Sequence, residues 1–188
     1  WVFPQIFSPV HVIFLELVMG PTCSIVYENE PIEKDTMKRP PRAMSDTFLS
    51  INELGISIVQ GLIITIGILF VYQFAVQQGG TEEKTRAMVF ATLIFANILL
   101  SYANRSFHYS ILESFKNRNL LLVGISIAVL LFLAVILYVA PVAQFFAVTA
   151  LSGYELGIAL SVAAVSVLWF EVYKLIRRIS VQRKSDKS

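Results

Sequence analysis

The chain has 188 residues, 56% of them hydrophobic, and 15 Lys and Arg against 13 Asp and Glu give a net charge of +2. Its mean hydropathy is +0.69, and a soluble domain carries only about 45–50% apolar residues, so the long apolar runs exclude an oily soluble domain and point to an all-α integral membrane protein. The charge is too small to suggest a nucleic-acid partner, and the lone Cys23 excludes an intrachain disulfide framework and a Cys-based metal site.

The chain opens on Trp1-Val2-Phe3-Pro4, with no initiator Met and no basic region or cleavage site of a signal peptide. It is expected to be a piece of a longer polypeptide. The first apolar run, Val10 to Tyr27, has 18 residues, close to the minimum for crossing a bilayer. Inside it stands Glu16, four residues before Gly20-Pro21. A carboxylate in hydrocarbon costs at least about 2.5 kcal/mol unless it is solvated or paired. Pro21 has no N–H, so the carbonyl of Leu17 loses its helical partner, and Gly20 is pushed away from the α region. The expectation is a span kinked or unwound at Gly20 and Pro21. Such backbone survives in a membrane only when buried in protein or lining a wet cavity, and membrane ion sites are commonly built this way. Glu16 and the Leu17 carbonyl are candidate cation ligands. The plainer alternative is a proline kink with Glu16 paired inside the bundle. Cys23 reads as a small apolar filler.

A polar loop follows, residues 28–46, broken by Pro31, Pro40 and Pro41. The second run is Ile51 to Val76. Its Ser57 and Gly61 form a small-xxx-small pair, with Gln60 and Thr65 nearby, which reads as close helix packing with interhelical hydrogen bonds. Gln77 to Glu83 is a short turn. The third run, Ala87 to Tyr102, holds Asn97 near its centre; the amide either packs through hydrogen bonds or offers its oxygen to a cation. Arg105 to Asn119 is a polar connection, and the fourth run is Leu120 to Val139. Pro141 to Tyr154 reads as a loop whose apolar middle, Phe145 to Val148, rests at the membrane interface. The fifth run is Leu156 to Tyr173. Glu113, Glu155 and Glu171 lie at span ends or in loops and read as surface charges. His11 and His108 are too far apart in sequence to form a ligand pair by spacing.

The basic residues set the orientation. Thirteen of the 15 fall in the first loop (Lys34, Lys38, Arg39, Arg42), the third (Arg105, Lys116, Arg118) or after the last span (Lys174, Arg177, Arg178, Arg183, Lys184, Lys187), against Lys84 and Arg86 on the other side. By the positive-inside rule those loops and the C-terminus are cytoplasmic. Five spans then start from an exoplasmic N-terminus. The C-terminal cluster could also meet anionic lipid.

Three stretches together resemble a known family. Leu15-Glu16-Leu17-Val18, then Glu28-Asn29-Glu30-Pro31, then Met37-Lys38-Arg39-Pro40-Pro41-Arg42 are similar to the sixth span and following cytoplasmic loop of calcium-type P-type ATPases. Ile136-Leu137-Tyr138-Val139-Ala140-Pro141 resembles the end of their ninth span. The resemblance covers essentially the whole chain, residues 1–188 as one C-terminal membrane domain. It implies that the runs at about 10–27, 51–76, 87–102, 120–139 and 156–173 are spans six to ten, a bundle of five transmembrane helices.

The resemblance also implies ligand positions. Glu16 falls where animal calcium pumps carry a ligand Asn, Met19 on a ligand Thr, Gly20 on a ligand Asp, and Asn97 near the eighth-span ligand. Gly20 has no side-chain oxygen, and the Met19 thioether suits a hard cation poorly. Ca²⁺ takes six to eight oxygens, more than Glu16, Asn97 and the Leu17 carbonyl supply, so earlier spans would complete the shell. Thr22 and Ser24 are further hydroxyl candidates. Bacterial relatives share the Leu-Glu-Leu sequence, which implies a bacterial inner membrane.

The implied function is the membrane part of an ATP-driven cation pump, first for Ca²⁺ and alternatively for a monovalent ion, a proton or another divalent ion. Mg²⁺ and ATP would act in the parent chain. This sequence contains no Asp-Lys-Thr-Gly phosphorylation sequence and no phosphate loop. Its partners would be the remaining spans and cytoplasmic domains of the same pump, together with the lipid bilayer. An ATP-independent transporter module and a non-catalytic membrane scaffold are the rival readings.

Overall fold

A computed structural model describes residues 9–28, 51–104 and 120–185. Most of the loop at 28–46, with its Met37 to Arg42 motif, and the connection at 105–119, with His108 and Glu113, lie outside the described residues. The helices are α1 (Pro9–Glu28), α2 (Ile51–Gln77), α3 (Glu82–Ala103), α4 (Leu120–Tyr138), α5 (Ala140–Phe145) and α6 (Gly153–Ser185). Among the described residues there is no strand. That follows from the solvent: hydrocarbon offers backbone groups no hydrogen-bond partner, and a helix satisfies them within the segment. Among the described residues four stretches are long and apolar enough to cross a membrane: Leu54–Gln77, Glu82–Ala103, Leu120–Tyr138 and Gly153–Phe170. The chain is an all-α, multi-pass integral membrane protein.

Helix α3 is the central post. It is 56% buried along its spanning stretch, against 11% for α2, and it touches α1, α2, α4 and α6. Its deepest contact is with α6, where Ala159, Ala163, Val167 and Phe170 make a buried stripe with no more than 1% exposure. Ala87, Ala91, Ala96 and Ala103 answer from α3. Small residues let the two backbones approach, which is how helices associate in lipid.

The close approach of α2 to α6 occurs at Gly67. A Cβ there would collide with Ser166 Oγ and stand 3.2 Å from Val162 Cγ1. Gly61, by contrast, is exposed and has nothing within 4 Å of its Cβ position, so it is not a close-packing point within the described bundle. Helix α2 is apolar all round, so its sequence does not distinguish one small-residue face from another. Gln60 does make an interhelical bond, its Nε2 donating to Asn104 Oδ1 at 3.3 Å.

The turn from α2 to α3 is locally encoded. Gly79 takes φ 69°, Gly80 N–H donates to the Ala75 carbonyl at 3.1 Å and Gly79 N–H to the Val76 carbonyl at 3.0 Å, the pattern of a glycine-closed helix end. Thr81 then caps α3 by accepting from Lys84 N–H at 3.3 Å, and Glu82 and Glu83 complement the helix dipole. Helix α3 therefore begins five residues before its apolar run.

The segment after α4, expected as a loop, is partly helical. Residues 140–145 form α5, and Phe146, Val148 and Leu151 are buried in the core while Phe145 stays exposed. The aromatic pocket under Phe146, built by His11, Phe14 and Phe90, supplies the reason. Ala147 closes α5 at φ 46°, a left-handed conformation that costs a Cβ-bearing residue about 1–2 kcal/mol. Arg86 Nη1 donates to the Ala147 carbonyl at 2.7 Å, and Tyr138 Oη donates to the Leu151 carbonyl at 2.8 Å. Both bonds hold the strained corner.

Two stability changes follow from these contacts. Gly67→Ala lowers the unfolding free energy of the detergent-solubilised protein by about 1–3 kcal/mol through overpacking, and Ser166→Ala in the same chain restores most of it; thermal unfolding of both variants checks this. Ala147→Gly relieves the left-handed strain, and after the entropy cost of Gly the net gain is about 1 kcal/mol or less, read as a raised unfolding temperature.

Candidate functional site

Helix α1 separates its residues sharply by face. Val10, Phe14 and Leu15 are half-buried and His11 is fully buried against the bundle, whereas Val12, Ile13, Glu16 and Leu17 are exposed. Spacings of three, four and one residues put each set on its own side of a 3.6-residue helix. The bundle-facing set is tied by aromatic rings. The His11 imidazole stands edge-on to Phe90, with centroids 5.2 Å apart and planes at 79°, and to Phe146 at 5.6 Å and 81°. Phe14 packs on Phe90, Phe146 and Phe132. Edge-to-face pairs of this kind contribute about 0.5–1.5 kcal/mol each beyond buried area.

Glu16 therefore points away from the described bundle, with Ile13 and Leu17, 66% and 68% exposed, beside it. Among the described residues no ion pair reaches Glu16, and no group of three His, Cys, Asp or Glu stands together. Helix α1 runs unbroken through Gly20 and Pro21 to Glu28, where the sequence suggested unwinding. Proline removes one hydrogen bond and crowds one carbonyl, and a transmembrane helix tolerates that when its surroundings satisfy the freed group. The Leu17 carbonyl still lacks an N–H four residues on, because residue 21 is Pro. The backbone at Met19, Thr22 and Ser24 is helical; their side chains lie outside the described residues.

Asn97 is half-buried on α3. It stands seven residues after Phe90, two turns along the same stripe, and so on the side of α3 that meets α1. Its backbone carbonyl accepts from Ser101 Oγ at 2.9 Å. Among the described residues no hydrogen bond joins Asn97 to Glu16. The hydroxyls of Thr65, Thr92, Ser126 and Ser161 each donate to a carbonyl four residues back, which satisfies them locally in hydrocarbon.

The sequence reading missed one polar cluster. Glu155 Oε2 accepts from Ser152 N–H at 2.8 Å, Ser152 Oγ accepts from Glu155 N–H at 3.4 Å, and Glu155 Oε1 pairs with Lys84 Nζ. Glu155 is thus a largely covered capping residue, not a surface charge, its side chain 14% exposed. The signal was present as Ser152-Gly153-Tyr154-Glu155, the Ser-x-x-Glu pattern of a capping box. Lys84 and Glu155 also line a cavity of about 310 Å³ with Phe74, Gln78, Met88 and Tyr154. Its two charges are already paired with each other.

The family described as "Cation transporting ATPase, C-terminus" matches residues 4–176. The chain belongs to this family. Similar curated proteins of the family's kind include a calcium-transporting ATPase of Listeria monocytogenes, 29% identical over 94% of this chain, and calcium-transporting ATPase 1 of Lactococcus lactis, 26% identical over 95%. Calcium-transporting ATPase type 2C member 2 of Rattus norvegicus is 23% identical over 98%. The match takes in 20% of each relative's length, so this cation-ATPase C-terminal chain spans about a fifth of the relatives it resembles.

Glu155→Ala removes both the cap and the partner of Lys84 and costs about 1–3 kcal/mol. Lys84→Met costs less, below about 1 kcal/mol, because Lys84 is 41% exposed. Thermal unfolding of the two variants side by side tests that order.

Proposed function

We propose that this chain is the membrane-embedded C-terminal part of an ATP-driven calcium pump, and that Glu16, the Leu17 carbonyl and Asn97 contribute to the cation pathway, with Thr22 as a further oxygen. The observation that carries the reading is Glu16 on the uncovered face of α1. A carboxylate on that face is costly against lipid, and becomes favourable when further protein supplies water, oxygens and a cation. Spans preceding this chain in the parent are the natural cover. The calcium-transporting relatives support the same reading.

The register adds to it. Alternating spans make α1 and α3 run in the same direction. Measured from the His11–Phe90 contact, Glu16 lies about 7.5 Å further along and Asn97 about 10.5 Å, at 1.5 Å per residue. The two ligands then share a depth to within one turn, while Gly20-Pro21 frees the Leu17 carbonyl close by. Asn97 faces α1 and Glu16 faces outward, so α1 would stand between two parts of the pathway.

In this reading residues 1–188 are one membrane domain, the loop at 28–46 meets the cytoplasmic machinery, and the C-terminus is cytoplasmic in a bacterial inner membrane. ATP and Mg²⁺ act in cytoplasmic domains of the parent, whose phosphorylation biases a two-state rearrangement of the spans. A second cation reading is favoured by Met19 and Gly20. Together they place no hard side-chain oxygen where calcium pumps carry two, which suits a proton, a monovalent ion or another divalent ion.

The test is ATP-dependent phosphoenzyme formation by the full-length parent across Ca²⁺, Mn²⁺, Na⁺, K⁺ and protons. Ca²⁺ is expected to drive phosphorylation, and Glu16→Gln to raise its half-saturating concentration about tenfold or more, equivalent to about 1.4 kcal/mol. Wild-type calcium dependence in Glu16→Gln would remove Glu16 from the pathway. Phosphorylation driven by another ion and not by Ca²⁺ would establish the second reading.

A further inference from the structure

Glu16 has no described partner of its own to fix its direction, so its direction is inherited from the rotation of α1. Among the described side chains of α1, the contacts to the bundle come from Val10, His11, Phe14 and Leu15, all in its first two turns. Of these His11 is the one that is fully buried. Its ring meets two phenyl rings almost at right angles, Phe90 on α3 and Phe146 just after α5. Those two rings are 6.3 Å apart and so touch each other as well, and the three rings close a triangle with His11 at one corner. The other two corners are fixed: Phe90 is 0% exposed within the central helix, and the residue after Phe146 is held by Arg86.

A ring packed against two fixed rings at once resists turning about the axis of its own helix, because both edge-to-face contacts are lost together. From His11 to Glu16 is five residues, about 140° around the axis and about 7.5 Å along it. Holding His11 inward holds Glu16 outward. A slip of α1 by one residue, about 100°, would carry Glu16 off the face it now occupies.

We propose that His11 is a positioning residue for cation binding, acting through its paired ring contacts with Phe90 and Phe146 to set the direction of Glu16. The inference rests on the reading of Glu16 as a cation ligand. The ring's shape and burial carry the role, so another flat aromatic of similar size can replace it, whereas a small side chain cannot.

The experiment uses the full-length pump in membrane vesicles, with Ca²⁺ alone as the probe, and follows phosphoenzyme formation against free Ca²⁺ for His11→Ala, His11→Phe and Glu16→Gln. His11→Ala is expected to raise the half-saturating Ca²⁺ about tenfold, the range seen when a residue that orients a metal ligand is lost. The maximal phosphoenzyme level per folded pump stays near wild type, and His11→Phe returns the half-saturation to within about twofold, as expected of a shape-preserving replacement. A His11→Ala pump with unchanged half-saturation, whatever its yield, would reduce the ring cluster to a packing contact and overturn the proposal. So would a His11→Phe pump as impaired as His11→Ala. If Glu16→Gln leaves the half-saturation unchanged, the reading of Glu16 falls first, and any shift in His11→Ala then runs through a different group, which overturns the proposed route as well. If Glu16→Gln shifts it and His11→Ala does not, the reading of Glu16 stands and only the positioning role is lost.

Discussion

Lipid gives apolar helices no reward for leaving it, since its chains are as apolar as leucine. What holds these helices together is how closely α3 and α6 approach, and that is decided by Ala159 and Ala163 on one helix and Ala87, Ala91, Ala96 and Ala103 on the other. With α3 fixed in the middle, its remaining sides become mounting points. Phe90 receives α1, Arg86 secures the corner after α5, Lys84 reaches the start of α6, and Asn104 accepts from α2. Lys84 and Arg86, the two basic residues that the charge count sets apart from the other thirteen, are both engaged in these tasks.

The spans were legible because length and apolarity follow directly from bilayer thickness. Their faces were not. Helices α2 and α4 are apolar around their whole circumference, so the sequence gives no reason to prefer Gly67 over Gly61 as the contact, and only the position of Ser166 on α6 decides it. The packing after α4 was hidden for a related reason: an apolar Phe146 does not reveal which rings it will meet, and those are His11, Phe14 and Phe90 in distant stretches of chain. Glu155 could have been read correctly from Ser152 three residues before it, though its ion pair with Lys84 could not.

At the candidate site the legible part was energetic. Glu16 is conspicuous because burying a carboxylate is costly, and Pro21 because it deletes a donor. The geometry was less accessible. Loss of one hydrogen bond at Pro21 does not force α1 open, and the helix continues to Glu28. Nor does periodicity reveal that Glu16 lies opposite the packed face, since the outward set on α1 contains Val12, Ile13 and Leu17, as apolar as the inward one. The separation of faces is created by aromatic packing at His11 and Phe14.

Helix α6 has 33 residues, a rise of about 50 Å at 1.5 Å per residue, whereas the hydrocarbon layer is about 30 Å thick. Its apolar run reaches Tyr173. The helical remainder, residues 174–185, carries Lys174, Arg177, Arg178, Arg183 and Lys184 and no acid. Tilt alone cannot absorb so large an excess of length. The helix therefore continues well past its apolar length, and the excess gathers positive charge at one end of the bundle.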